Sequence, residues 1–121
     1  PALLPTLFHN ISSPEVPDQT KVASLEALGF MCEAMKVKID PKLVNQILGS
    51  IIEGMRSNMR DEIRLAAVIA MNNSLGFTDT NFDNDTERDH IMSAICEATQ
   101  AANPKIRARA YECCATVAEF Y

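Results

Sequence analysis

The segment TERDHIMSAICEATQ (86–100) sets His90 six residues before Cys96, with Glu97 beside the thiol. Imidazole, thiol and carboxylate are the parts of a nucleophilic cysteine site, in which a neighbouring base draws the thiol towards thiolate. The spacing argues against one. Six residues of helix separate the two groups by about 9 Å along the axis, and the side chains leave in different directions. Cys96 therefore reads as a core residue. Cys32, Cys113 and Cys114 also have apolar neighbours, and no pair has C-x-x-C spacing. The expectation is reduced, buried thiols in a cytosolic or nuclear protein. His9 and His90 lie far apart, and Gly29, Gly49, Gly54 and Gly76 are scattered rather than grouped in a phosphate loop. No catalytic site, metal or cofactor is expected, and the chain is not read as an enzyme.

What remains is the question of which elements position these residues. The chain has 121 residues, 47% hydrophobic and 22% charged, with a net charge of −5 and a pI near 4.9. That balance supports one folded domain and excludes disorder. An acidic surface argues against nonspecific nucleic-acid binding, which needs basic charge. No apolar run approaches the ~18 residues of a membrane span. No signal peptide opens the chain, which begins with Pro1, as expected of an excised or processed piece.

The chain repeats itself. Helical apolar stripes run from Thr20 to Met35, from Ile63 to Leu75 and from Ile106 to Tyr121. Ser24, Ala67 and Ala110 occupy one slot at intervals of 43 residues, as do Lys21, Arg64 and Arg107. A second set, LLPTLFHNI (3–11), ILGSIIEGM (47–55) and IMSAICEAT (91–99), aligns at intervals of 44 and carries apolar residues at offsets 0, 1, 4 and 5. On this register Cys96 shares a slot with Phe8 and Ile52. The unit is helix A, turn, helix B, three times over, a period that marks HEAT or armadillo arrays. Two helices per unit favour HEAT.

The fold class is therefore all-α, an α-solenoid of three HEAT-type helix pairs in a right-handed superhelical stack. The expected repeats are 1–36, 37–77 and 78–121. Asp40-Pro41 and Asn103-Pro104 read as N-caps followed by proline at the first helical position. Residues 76–86 form the longest connection, with Phe77 and Phe82 pinning it to the stack. Strand signals are absent. The end helices are as apolar as the middle ones, which implies a longer solenoid cut at both ends.

The ladder of Lys21, Arg64 and Arg107 near the start of each B helix suggests bridges to acidic side chains of the next repeat, with contact to a partner on the concave face as the alternative. The A helices carry a more specific feature. Gly49, between Leu48 and Ile52, leaves a hollow opposite Glu87, His90 and Ile91 of the next A helix. Two such helices can form a surface groove for an aromatic side chain.

Over nearly the whole chain, the residues resemble importin-β, the karyopherin-β family of nuclear transport receptors. The resemblance is carried by ILGSIIEGMR (47–56), IRLAA (63–67), NNSLGFT (72–78), NFD (81–83), ERDHIM (87–92) and CEATQ (96–100), with PALLPTLFHNI and SLEALGFMCE (24–33) in support. It implies a carrier that works in cytoplasm, nucleus and nuclear pore, and a position near the fourth to sixth repeats of the N-terminal arm. Phenylalanine-glycine (FG) nucleoporins are then expected on the outer A-helix face, and Ran-GTP and cargo on the inner B-helix face. The adaptor-binding region falls outside this segment, and neither nucleic acid nor membrane is a direct partner. By position, the implied nucleoporin groove consists of Leu48, Gly49, Ile52, Glu87, His90 and Ile91. The family has threonine in place of Gly49 and phenylalanine in place of His90, so this groove lacks a ring its relatives have. The alternative is a HEAT scaffold of another class, such as a phosphatase or chromosome-complex subunit.

Overall fold

The structure is a computed structural model and describes residues 3–34 and 40–121. Met35 and the expected boundary between residues 36 and 37 lie outside the described residues. Three helix pairs follow one another: α1 (Leu3–Ser12) with α2 (Asp18–Ala34), α3 (Pro41–Met55) with α4 (Asp61–Ser74), and α6 (Asp85–Ala98) with α7 (Pro104–Phe120). Between α4 and α6 the chain makes a 3-10 turn (Leu75–Phe77) and a five-residue helix, α5 (Asp79–Asp83). The described residues contain no strand. The A helices are α1, α3 and α6, and the B helices are α2, α4 and α7.

Local signals set the helix starts. Asp40 Oδ1 accepts from the Lys42 amide at 2.9 Å, and Asn103 Oδ1 accepts from the Lys105 amide at 2.8 Å. Proline follows each cap, where its missing N–H is not needed. Asn84 caps α6 through the Glu87 amide at 3.1 Å. α4 lacks a side-chain cap but carries Asp61 and Glu62 in its first turn, where negative charge meets the positive end of the helix dipole.

The repeat slots predict the packing. Ser24, Ala67 and Ala110 are 4%, 0% and 0% exposed, so the B helices approach closely at their midpoints. Gly54 is tighter still. A Cβ there would sit 3.0 Å from both the Ala67 methyl and Leu25 Cδ1. Polar bonds tie each B helix to the next. Asn73 Nδ2 donates to the Gly29 carbonyl at 3.3 Å, and Thr116 Oγ1 donates to Asn72 Oδ1 at 2.6 Å.

The basic ladder behaves differently from expectation. Lys21 is buried and its Nζ donates to the carbonyls of Asn10, Ile11 and Ser13 at the end of α1. Arg107 likewise donates to the carbonyls of Ala101 and Ala102, at 2.8 and 2.7 Å. Lys21 thus satisfies carbonyls that the end of α1 leaves without partners, whereas Arg107 bonds carbonyls of the turn between α6 and α7; neither reaches an acidic side chain of the next repeat. The inter-repeat bridge is carried by other residues, with Arg60 Nε lying 2.6 Å from Asp18 Oδ2. Arg64 occupies the same slot as Lys21 and Arg107 and is buried, yet its Nε has no acceptor.

The connection 75–84 is more ordered in form than a loop. Phe82 is buried and stacks on Tyr121, with ring centroids 4.1 Å apart and planes within 3°. The Tyr121 hydroxyl donates to the Leu75 carbonyl at 2.8 Å and lies 3.0 Å from Thr78 Oγ1 and from Asp79 Oδ1. Burial raises the Tyr121 phenol above its ordinary pKa.

Candidate functional site

α3 presents Asn45, Leu48, Gly49 and Ile52 along one side, at helical offsets 0, 3, 4 and 7. α6 presents Thr86, Glu87, His90 and Ile91 opposite them. Together with Asn81 of α5, these residues line one open cavity of about 270 Å³. All six residues expected of the groove therefore meet in one place. The volume lies just below the ~300 Å³ where small-molecule pockets begin, so it suits a single large side chain.

The walls differ in character. Leu48 and Ile91 are buried and Ile52 is half-buried, giving an apolar floor. Gly49 is exposed, and a Cβ built on it meets nothing within 4 Å. Glycine is thus not required by packing there; it keeps that part of the wall open. His90 stands exposed at the rim. It also borders a second hollow of about 140 Å³, which shares Ile52 and adds Met55, Arg56, Ser93, Ala94 and Glu97.

The polar end of the groove is a hydrogen-bonded row. Asn81 is only 5% exposed, and its Nδ2 donates to Asn45 Oδ1 at 2.8 Å and to Glu87 Oε1 at 3.0 Å. Asn45, Asn81 and Thr86 were not among the expected groove residues. Asn45 was within reach of helical periodicity, one turn before Leu48 and Gly49. Asn81 gave no such signal, because its segment reads as a connection.

Cys96 is exposed, which corrects its reading as core. Its slot faces outward along the row of A helices. Ile52 in the same slot borders α6, whereas no described helix lies over Cys96. No hydrogen bond joins His90 to Cys96 among the described residues. Burial pushes Cys32 and Cys113 up to about 12, with the neighbouring Cys114 and Glu112 adding to the rise at Cys113. Burial also raises Cys114. Among the described residues no group of three or more His, Cys, Asp or Glu could hold a metal, and no helix is long and apolar enough to cross a membrane.

A larger cleft of about 410 Å³ opens between α2 and α4 on the B-helix side. Leu25, Leu65 and Ile69 line it, Glu26 and Glu62 flank it, and Phe30 stands 72% exposed at its edge.

No protein-family model matches the chain. Over its whole length it is 40% identical to importin subunit beta-1 of Arabidopsis thaliana, of which it spans 14%. Over its whole length the chain is similar to importin-β, and it spans about one seventh of the relatives it matches. Its fold matches that of Kap95 in a Kap95:Nup1 complex with a TM-score of 0.91 and 35% identity, covering all of this chain and 14% of that one. Kap95 bound to RanGDP matches with a TM-score of 0.86 and 34% identity, over 13% of its length. The HEAT solenoid and the importin-β resemblance read from the sequence both hold, and the reading as a phosphatase or chromosome-complex scaffold is set aside.

Proposed function

We propose that this chain belongs to a nuclear import receptor and that the α3–α6 groove takes an aromatic side chain from an FG-repeat nucleoporin. The observation that carries the reading is the convergence of Leu48, Gly49, Ile52, Glu87, His90 and Ile91 on one cavity of single-side-chain size. The homologous Kap95 forms a complex with Nup1. The receptor moves between cytoplasm and nucleus through the nuclear pore, and its work is binding rather than catalysis.

The energetics suit transport. Burying one phenylalanine supplies roughly 1.5–3 kcal/mol, less than the 4.1 kcal/mol that corresponds to a Kd of about 1 mM. A single contact of that strength exchanges rapidly, and useful avidity comes from engaging several repeats together. His90 supplies less apolar wall than a phenylalanine, so this groove is weaker than one with a ring in that position.

The B-helix side contributes to Ran-GTP and cargo binding. Supporting this are the acidic, apolar-floored cleft between α2 and α4 and the homologous Kap95 with RanGDP.

Ile52→Asp tests the groove. The side chain is half-buried, so the helices tolerate the change while a carboxylate without a partner enters the apolar floor. Binding to immobilised FG repeats is expected to fall at least tenfold, a difference of about 1.4 kcal/mol, with the circular dichroism spectrum unchanged. Unaltered binding would remove the groove from the proposal.

A further inference from the structure

The hydrogen-bonded row at the end of the groove has a direction. A carboxylate offers only acceptors. Asn81 must therefore turn its amide NH2, not its carbonyl, towards Glu87 Oε1, 3.0 Å away. The second hydrogen of the same NH2 goes to Asn45, 2.8 Å away, which must then present its carbonyl oxygen. Asn45 is left with its own NH2 facing outward. Glu87 keeps a second carboxylate oxygen without a hydrogen-bond partner among the described residues. A buried amide has thus fixed one free donor and one free acceptor beside an apolar cavity. Both residues line that cavity.

A donor and an acceptor flanking a hollow are complementary to an extended main chain, which offers one C=O and one N–H per residue. We propose that Asn81 is a positioning residue through which the groove reads the peptide backbone beside the aromatic anchor. Asn45 Nδ2 donates to a ligand carbonyl, and the free Glu87 oxygen accepts a ligand amide N–H. Asn81 itself donates nothing to the ligand, since both hydrogens of its amide are already used. The partner is an extended, non-helical segment, because a helix spends its main-chain groups internally. This rests on the groove reading above and refines it from a hole for one ring to a site with a strand direction.

The experiment uses the intact protein and a synthetic phenylalanine-glycine peptide in which each amide beside the aromatic residue is replaced in turn by an ester. That exchange removes one N–H and adds no bulk. In the wild type, one ester position should weaken binding about threefold to tenfold, the effect of one hydrogen bond, while the others change little. In Asn81→Ala the same ester should carry no penalty, because Glu87 and Asn45 are no longer held in place. Glu87→Gln keeps the side chain's shape and removes the one-way acceptor, so it should also abolish the ester penalty. It gives the same readout if Asn81→Ala perturbs folding. If the peptide binds, Ile52→Asp abolishes that binding, and the ester penalty is either absent or equal in all proteins, backbone reading by Asn81 is wrong and the aromatic groove stands. If peptide binding ignores Ile52→Asp, both inferences fall together.

Discussion

Replacing Lys21 with methionine keeps the aliphatic stem and removes the ammonium that holds the end of α1. Nζ donates to three carbonyls, those of Asn10 and Ile11 at 3.2 and 3.0 Å and that of Ser13. The bonds to Asn10 and Ser13 are only part-buried, so water can replace them in the variant. The bond to Ile11 is buried, and its carbonyl is left without a partner. An orphaned buried acceptor costs about 1–3 kcal/mol, and a charge-assisted bond contributes about 1.5–3 kcal/mol. Allowing for the ammonium's own desolvation, Lys21→Met should lose ~2–4 kcal/mol. Arg64→Met changes the same repeat slot, but Arg64 Nε has no acceptor to lose. Removing a buried donor that is already unsatisfied should leave stability unchanged or raise it by up to ~1 kcal/mol. Urea denaturation followed by circular dichroism measures both. The Lys21 variant should lower the midpoint on the order of 1 M, and hydrogen exchange should place the loss in α1 and the turn after it. Equal losses for the two variants would refute the reasoning, since it assigns the stabilisation to the carbonyl bonds and not to a cation in the slot.

Further measurements follow from burial. Gly54→Ala brings a methyl to 3.0 Å from Ala67 and Leu25 and should destabilise by ~1–3 kcal/mol through overpacking. Gly49→Ala meets no atom within 4 Å, gains about 0.8–1 kcal/mol of helix propensity, and should weaken FG binding by partly filling the open wall; thermal unfolding and peptide affinity read the two effects separately. Cys96 should react with a maleimide in the native state, whereas Cys32 and Cys113 should react only on unfolding. The buried thiols also set an alkaline limit. Their pKa rises from 9.0 to about 12 on folding, so their contribution is intact below pH 9 and is lost as pH climbs from 9 towards 12. The double variant Cys32→Ala, Cys113→Ala should show a smaller loss of stability across that interval, and an unchanged slope would count against thiol burial as its cause.

Much of this was legible because a solenoid writes its fold locally. Ser24, Ala67 and Ala110 marked one crossing point at each step, and the Asp-Pro and Asn-Pro pairs marked where α3 and α7 begin. Each signal needs only neighbouring residues or a count of 43, so sequence displays it directly. The apolar part of the groove was legible for the same reason, since Leu48, Ile52 and Ile91 obey helix periodicity. Asn81 was not, because its role comes from a short helix lying between two elements of the repeat. Cys96 was misread because slot identity predicts direction, not cover; the side chain shares the slot of Ile52, but no described helix lies over it. The ladder was misread because Lys, Arg and Asp spacing cannot distinguish a carboxylate acceptor from a carbonyl one.

The short helix α5 also bears on how such a groove can change over time. It lies outside the helix pairs and is held by the stacking of Phe82 on Tyr121 and the hydroxyl contacts at residues 75, 78 and 79. The Asn81 link in the polar wall of the groove is therefore a graft on the stack. Insertions or deletions within 75–84 move Asn81 without disturbing the crossing points at Ser24, Ala67 and Ala110. The residue that orients Asn45 and Glu87 is thus inherited on a stretch of chain separate from the crossing points. One can drift while the other is held, which leaves relatives with the same solenoid free to diverge in what the groove reads.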